Sequence, residues 1–205
     1  MGDARGYVLG AGGHAHVIAS LIEMPVTFVV QVPQARDQMS EAEFFEGIAT
    51  FSKYDIYVGI ANNAIRRRLF ERLRGAGVRV ATCIAPNVFV ARDACIGEGA
   101  LLCPGVVVNS RAVVGANAIV NTLSSIDHDS VLGDHSHVTA GVTLGGTVRV
   151  GTNCFFGVKS SVLNNLTIGN DVVVMAGALV TQSVPDAVMV GGSPARVMRK
   201  LSASR

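Results

Sequence analysis

Tryptophan is absent from this chain of 205 residues, and aromatic residues make up only 5% of it. Charged residues are also scarce, at 16%, whereas hydrophobic residues reach 49%. This composition suits a repeat structure that buries its axis and hides part of its outer surface in an oligomer. We therefore expect a homo-oligomer.

The chain also lacks a strong charge of either sign and a long apolar run. Its net charge is +2, and no basic stripe indicates a nucleic acid partner. No stretch approaches eighteen uninterrupted apolar residues, and the start of the chain shows no charged segment followed by an apolar run. We expect a soluble, cytoplasmic protein that does not insert into a membrane.

The four cysteines show no C-x-x-C spacing and fall at different phases of the repeat described next. This pattern supports neither a zinc ribbon nor a disulfide framework, so we expect reduced thiols. The cysteines are Cys83, Cys95, Cys103 and Cys154.

A repeat of six residues runs from Ile84 to Val180, where every sixth residue is large and apolar. The residue two positions earlier is mostly small, and the residue just after is often glycine. Three short strands with corners between them would close a triangular coil of about eighteen residues, with one large side chain per face inside. We expect glycine at the corners because of their backbone angles. An ordinary β-sandwich would alternate by two and is not favoured.

The residues before the repeat predict an α/β domain with a small parallel, Rossmann-like sheet. The expected strands are 6–10, 26–32, 54–60 and 78–84, and the expected helices begin after His14 and span 40–50 and 64–74, with Ser40 as an N-cap. The predicted domains are residues 1–83 and residues 84–205, the second ending in a C-terminal cap. The first strand enters a glycine-rich turn before a helix, which suits phosphate binding, although a tight turn without a ligand has the same pattern.

Three of the five histidines lie inside the repeat and within a span of ten residues, at 128, 135 and 137. His128 falls at a corner beside Asp129, and His137 comes just before an inward position, so both should face outward. A histidine with a carboxylate partner is the usual general base near neutral pH. Two other interpretations remain: solvated surface histidines, or a zinc site similar to that of γ-class carbonic anhydrases. The spacing is narrower than in that family, and we expect no metal.

Four segments resemble the bacterial sugar acyltransferases of the PglD/NeuD type, which carry a left-handed parallel β-helix. They are GAGGHA at 10–15, ANNAIRRRL at 61–69, NTLSSIDHDSVLGDHSHVTAGVTLGG at 121–146 and GGSPAR at 191–196. The resemblance extends from Tyr7 to Met198. The chain departs from this family at two places. It has Gln31-Val32-Pro33 where relatives carry an acidic pair, and Ala61 where relatives often have glycine. The identity of the nucleotide therefore stays open.

The resemblance implies a role for individual residues. It assigns His128 as the catalytic base and Asp129 as the acid behind it. It places acetyl-CoA, the co-substrate, between two subunits of a homotrimer, and it places a nucleotide-linked amino sugar at the N-terminal domain. The implied coenzyme contacts are His137, Gly146, Val158 and Ala176, and the implied sugar-nucleotide contacts are Gly12, Gly13, His14, Asn62 and Asn63.

The implied activity is N-acetylation of a nucleotide-linked amino-dideoxy sugar, such as a UDP-4-amino sugar, for bacterial glycan synthesis. Backbone N–H groups near Gly145 and Gly146 would stabilise the oxyanion. Three alternatives remain: O-acetylation of a sugar hydroxyl such as that of sialic acid, a non-catalytic sugar-nucleotide-binding protein, and a carbonic anhydrase-like metalloenzyme.

Overall fold

The computed structural model describes residues 5–201, so the outermost ends of both predicted domains, residues 1–4 and 202–205, lie outside the described residues. The chain divides into two compact units, Met1–Cys83 and Ile84–Arg205. Within the described range, no helix is both long enough and apolar enough to cross a membrane.

The first unit is a parallel sheet of four strands with helices in the connections. The strand order is β3-β2-β1-β4, and each neighbouring pair is parallel. The strands are β1 (Gly6–Leu9), β2 (Val26–Val30), β3 (Gln38–Ser40) and β4 (Asp55–Val58). The helices are α1 (Gly13–Leu21), α2 (Glu41–Glu46), α3 (Ile48–Phe51) and α4 (Asn63–Gly75).

The fourth strand of this sheet differs from the one predicted. Within 78–84 only Cys83–Ile84 is a strand, and it belongs to the second unit's sheets. The fourth strand of the sheet is instead β3, at its edge beside β2. It has three residues and is too short to show a hydrophobic periodicity in the sequence.

The predicted helix at 40–50 is also divided, into α2 and α3. The division falls at Gly47, where a Cβ would lie 2.6 Å from the Phe51 ring. The N-cap at Ser40 is confirmed, because its hydroxyl accepts a hydrogen bond from the Glu43 N–H at 3.1 Å.

The second unit is a parallel β-helix with three sheets along its length. From Phe89–Val90 to Ser161–Val162, each strand pairs in register with the strand eighteen residues later, as Val113 does with Val131, so the predicted coil of eighteen residues is confirmed. One sheet has five strands: Cys95–Ile96, Val113–Val114, Val131–Leu132, Arg149–Val150 and Thr167–Ile168. The six-stranded sheet contains Phe89–Val90, Val107–Val108, Ser125–Ile126, Thr143–Leu144, Ser161–Val162 and Leu179–Val180.

The third sheet has eight strands and includes the end of the described chain. Its strands are Cys83–Ile84, Leu101–Leu102, Ile119–Val120, His137–Val138, Phe155–Phe156, Val173–Val174, Val188–Gly192 and Ala195–Lys200. The last two strands are antiparallel to each other, and Val188–Gly192 pairs in parallel with Val173–Val174. The tail therefore continues a sheet of the β-helix after the repeat ends.

The axis of the β-helix is filled by the repeated apolar residues. Ile126, Leu132, Val138 and Leu144 follow each other around the axis and are fully buried. The first position, Ile84, is an exception and stays 44% exposed at the end of the stack. Burial of this continuous column is the main stabilising contribution of the repeat.

The corner glycines have a different cause from the one predicted. Gly97 and Gly115 are not among the residues with a positive φ, whereas the residues two positions later are: Gly99 (φ 68°) and Asn117 (φ 54°). A Cβ at Gly97 would lie 2.5 Å from the Ala116 nitrogen of the next coil. Glycine is required there because the coils stack closely, not because of the backbone angles.

Candidate active site

The predicted base lies at a corner of the β-helix, on the turn Asp127–His128–Asp129 between the five- and six-stranded sheets. Main-chain bonds hold this turn from both sides: the Asp129 N–H donates to Ser110 O at 3.0 Å and the Asp127 N–H to Leu144 O at 3.1 Å. Asp129 has φ 62°, the left-handed conformation that recurs at these corners. The stacked coils before and after it therefore fix the backbone under His128.

His128 and Asp129 form the expected pair. The distance from His128 Nδ1 to Asp129 Oδ2 is 2.8 Å. Arg111, one coil earlier, donates from Nε to Oδ1 at 2.6 Å and from Nη2 to Oδ2 at 2.9 Å. These hydrogen bonds lower the pKa of Asp129 to about 2. The bonds from Arg111 have the larger effect, and the bond from His128 has the next largest.

The ionised Asp129 determines which imidazole nitrogen is basic. A carboxylate accepts hydrogen bonds and cannot donate them, so Nδ1 of His128 carries the proton. In the neutral ring, Nε2 then has a free lone pair. The side chain of His128 is 51% exposed, so the ring is accessible from solvent.

A second contact from the preceding coil fixes the other end of the turn. The Asp127 Oδ1 atom accepts from the His128 N–H at 2.7 Å and from Asn109 Nδ2 at 2.7 Å. Asn109 and Arg111 therefore hold Asp127 and Asp129 in parallel. The sequence reasoning missed both residues. Asn109 and Arg111 lie eighteen residues before Asp127 and Asp129, so the coil length alone predicts that they stack on the two carboxylates.

Gly146 lies directly beside the imidazole, in the coil after His128. A Cβ at Gly146 would lie 2.6 Å from His128 Nε2 and 2.7 Å from Cε1. The Thr147 N–H donates to His128 O at 2.8 Å, which fixes this corner against the turn. Because glycine has no Cβ, the imidazole can lie directly against the backbone at this position.

The other two histidines of the predicted cluster lie elsewhere on the coil. His135 is buried at the next corner, with its Nδ1 2.8 Å from Asn117 Nδ2. His137 lies in the eight-stranded sheet and is 2% exposed, with its ring centroid 5.3 Å from that of Phe155. His137 is not part of the inward column, as expected, but neighbouring side chains cover it, so it is not open to solvent in this chain. Residues 5–201 contain no group of three or more His, Cys, Asp or Glu residues placed to hold a metal ion.

Val158 and Ala176 lie at a different corner from His128. They follow Phe155–Phe156 and Val173–Val174 and stack one coil apart, where the Gly177 N–H donates to Val158 O at 2.8 Å. Both are exposed. Of the four residues that the resemblance assigns to the coenzyme, only Gly146 is brought to His128 within one chain.

In the first unit, the glycine-rich turn leads into helix α1. Gly10 has φ +107°, which an L side chain rarely adopts, and a Cβ at Gly12 or Gly13 would meet only open space. His14, in the first turn of α1, is partly buried. Burial, followed by the nearby charge of Arg66, lowers the pKa of His14 below its ordinary value.

Arg66 organises the turn that contains Asn62 and Asn63, and the sequence reasoning missed it. Its side chain is 1% exposed, and burial lowers its pKa to about 10. Nη1 donates to the Ile60 and Ala61 carbonyls at 3.2 and 3.1 Å, and Nη2 donates to Asn63 Oδ1 at 2.9 Å.

Asn62 is the N-cap of α4 and accepts from the Ile65 N–H at 3.0 Å. Asn62 and Asn63 therefore shape this turn whether or not they also bind a ligand.

A cavity of about 320 Å³ lies at the carboxyl ends of β1 and β2, which is where open parallel sheets bind ligands. Its polar lining comes from Gln31, Glu41 and Arg68. Glu41 also accepts a hydrogen bond from Arg72 Nη1 at 2.8 Å. The volume and the mixed lining suit a nucleoside-sized group.

Comparison with known proteins places this geometry among acyltransferases. Residues 147–182 match the family model described as the hexapeptide repeat of succinyl-transferase. A histidine-to-alanine variant of the GDP-perosamine N-acetyltransferase of Caulobacter crescentus, solved with CoA and GDP-perosamine, is 28% identical. It has a TM-score of 0.89, over 95% of this chain and 97% of that one.

Two further structures are similar over most of their length. The acetyltransferase domain of PglB from Neisseria gonorrhoeae FA1090, in complex with acetyl coenzyme A, is 28% identical with a TM-score of 0.89, over 96% of this chain and 100% of that one. WeeI from Acinetobacter baumannii AYE is 26% identical with a TM-score of 0.85, over 94% and 99%.

The fold and the repeat define a hexapeptide-repeat acyltransferase with a left-handed parallel β-helix. The particular resemblance expected from the sequence, to the bacterial sugar N-acetyltransferases with an N-terminal parallel-sheet domain, is confirmed.

Proposed function

We propose that this protein transfers the acetyl group of acetyl-CoA to the amino group of a nucleotide-linked amino-dideoxy sugar, with His128 as the general base. The observation that carries the proposal is the Asp129–His128 pair, 2.8 Å apart, which leaves Nε2 as the basic nitrogen of a ring that lies against Gly146. It is supported by neighbours solved with CoA, acetyl-CoA and GDP-perosamine.

The reaction uses the two nitrogens of His128 differently. As the amine attacks the thioester carbonyl, Nε2 removes its proton, and Asp129 stabilises the imidazolium through Nδ1–H. When the tetrahedral intermediate collapses, the C–S bond breaks and His128 returns the proton to the CoA thiolate. The amide forms and the base is regenerated.

The oxyanion contact needs a correction to the expectation from the sequence. The Gly145 N–H donates to Val162 O at 3.0 Å and is therefore occupied. Within residues 5–201, the Gly146 N–H makes no hydrogen bond. The Gly146 N–H, adjacent to His128 Nε2, is the donor that remains for the oxyanion.

The coenzyme site requires a second subunit. Val158 and Ala176 lie at another corner of the same chain, so they join a site at His128 only from a neighbouring copy, as in a homotrimer. His137 is 2% exposed and packs against Phe155, so its assigned contact with the coenzyme has no support within one chain. Acetyl-CoA is made in the cytoplasm, where we place the enzyme.

The sugar nucleotide is assigned to the first unit. The open backbone at Gly12 and Gly13 suits the diphosphate, because the first N–H groups of a helix bind anions. His14, Asn62 and Asn63 follow the carboxyl ends of β1 and β4, close to Arg66, and are assigned to the sugar. The cavity beside Gln31 takes the nucleoside.

The experiment is a thiol-release assay with acetyl-CoA and a panel of UDP-, GDP- and dTDP-linked 4-amino-4,6-dideoxy sugars. Release that requires one amino sugar and is lost in His128→Ala supports the proposal and identifies the nucleotide. Release only with a sugar hydroxyl, such as that of sialic acid, would assign the protein to O-acetylation. Saturable binding of a sugar nucleotide without release on any acceptor would indicate a non-catalytic protein.

A further inference from the structure

The guanidinium of Arg111 and the imidazole of His128 share one carboxylate, that of Asp129. We propose that Arg111 is a positioning residue that keeps the proton of neutral His128 on Nδ1 by fixing the orientation of Asp129. The inference rests on the proposed function only in that it treats His128 as the base.

The contact between Arg111 and Asp129 uses both ends of the carboxylate. Nε donates to Oδ1 and Nη2 to Oδ2, so the plane of the carboxylate is set by the plane of the guanidinium. A free carboxylate rotates easily about its last torsion. With Arg111 bound, Oδ2 stays 2.8 Å from Nδ1 of His128.

Arg111 is itself held by the coil before it. Nη1 lies 3.4 Å from Ser110 Oγ, and Ser110 donates to Asp93 Oδ2 at 2.8 Å. Asp93, Arg111 and Asp129 thus form a charge ladder, one residue per coil, along a single corner. This arrangement gives the guanidinium anchors on two sides.

The other carboxylate of the turn does not compete for the imidazole. Asp127 Oδ1 is occupied by the His128 N–H and by Asn109 Nδ2. Asp129 is therefore the acceptor that determines the tautomer, because the nitrogen that hydrogen-bonds to a carboxylate keeps its proton. An imidazole in water without such a partner prefers the proton on Nε2, which would remove the basic lone pair from the open side.

The main role of Arg111 is to orient Asp129, and its contribution to stability is small. Its side chain is 63% exposed and that of Asp129 is 33% exposed, and exposed ion pairs contribute little to folding. Arg111→Gln should therefore fold normally while losing control of the tautomer. Arg111→Lys keeps the charge but has one point donor in place of the planar fork, so it should restore only part of the effect.

The test is long-range proton–nitrogen NMR on the full-length, ¹⁵N-labelled protein, with His128 assigned from the signals missing in His128→Ala. With the His128 ring neutral, wild type should show Nδ1 protonated and Nε2 unprotonated. Arg111→Gln should show averaged nitrogen shifts, Arg111→Lys intermediate ones, and the exposed control Arg149→Gln wild-type ones.

An Arg111→Gln protein that keeps the wild-type tautomer would overturn the proposal. With the acceptor found above, the same variant should lose about tenfold in kcat with little change in KM for acetyl-CoA. The NMR measurement needs no turnover, so it tests the role of Arg111 even if no acceptor is found. Failure to find any acceptor would count against the proposed function only. If Arg111→Gln does not fold, Ser110→Ala, which removes the second anchor, gives the same comparison.

Discussion

The imidazole of His128 stands against the backbone of Gly146, and a Cβ there would lie 2.6 Å from Nε2. Gly146→Ala should therefore push the ring away from its working position and lower kcat by at least about tenfold. The thiol-release assay measures this loss. The matched control is Gly75→Ala, since a Cβ at Gly75 would meet nothing within 4 Å and φ there is ordinary.

Circular dichroism should show both alanine variants folded. Normal turnover in Gly146→Ala would mean that the imidazole works from another position, and the assignment of Nε2 as the base would then be wrong.

His128→Ala should reduce turnover by about 100-fold or more, because a general base contributes roughly 10² to 10⁴ in rate. Acetyl-CoA binding, measured by calorimetry, should change little. Asp37→Asn, at an exposed position that is assigned to neither substrate, is the control. A near-normal rate in His128→Ala would exclude this residue as the base.

The stability of the protein should depend on Asp129 at acid pH. Hydrogen bonds from Arg111 and His128 lower the pKa of Asp129 from 3.8 to about 2. A carboxyl whose pKa is lower in the folded state stabilises the fold above its unfolded pKa, and this contribution disappears as the pH falls through the folded value. Asp129→Asn should therefore show a shallower loss of thermal stability between pH 4 and pH 2 than wild type.

The measurement is the unfolding midpoint in closely spaced buffers across that range. Asp37→Asn, which removes an exposed carboxylate of the first unit, should keep the wild-type slope. Equal slopes in Asp129→Asn and wild type would mean that the ion pair with Arg111 does not persist in solution.

Buried serines tie neighbouring coils together, and Ser130 and Ser160 differ in this respect. Ser130 Oγ donates to Gly145 O at 2.7 Å and accepts from the Val148 N–H at 2.9 Å. Ser130→Ala should lower the free energy of unfolding by about 1–3 kcal/mol, because both groups lose their partner. Denaturant unfolding measures the difference.

Ser160 occupies the equivalent position and is equally buried, but its hydroxyl has no hydrogen-bond partner within residues 5–201. Ser160→Ala should cost less than Ser130→Ala and should leave activity unchanged. Equal losses in the two variants would contradict a role for the hydroxyl of Ser130 in joining the coils.

The sequence predicted the β-helix well because its signal is regular. One large residue in six, from Ile84 onward, is enough to determine the coil length and the inward column. The pair His128–Asp129 was also accessible, because the two residues are adjacent in the chain.

The remaining features depend on contacts between coils or between distant segments. Arg111 and Asn109 reach the site through the register of eighteen residues, and the sequence reasoning applied that period to the core only. Strand β3 is too short for a pattern. Arg66 is buried and donates to the Ile60 and Ala61 carbonyls, which no pattern in the sequence indicates. His137 occupies the outward-facing position of its strand, and the repeat pattern does not show which side chains cover an outward position.

The in-register stacking of the coils also limits how this protein can change in length. Arg111 meets Asp129, and Gly146 meets His128, because each lies one full coil away along the same corner. A deletion of one residue between 111 and 128 would put Arg111 out of step with Asp129, and a deletion between 129 and 146 would do the same to His128 and Gly146. A tandem duplication of eighteen residues beyond 164 would lengthen the stack by about 4.8 Å and leave the site intact. Such proteins are therefore expected to gain or lose length in whole coils, or by loops that bulge from a corner.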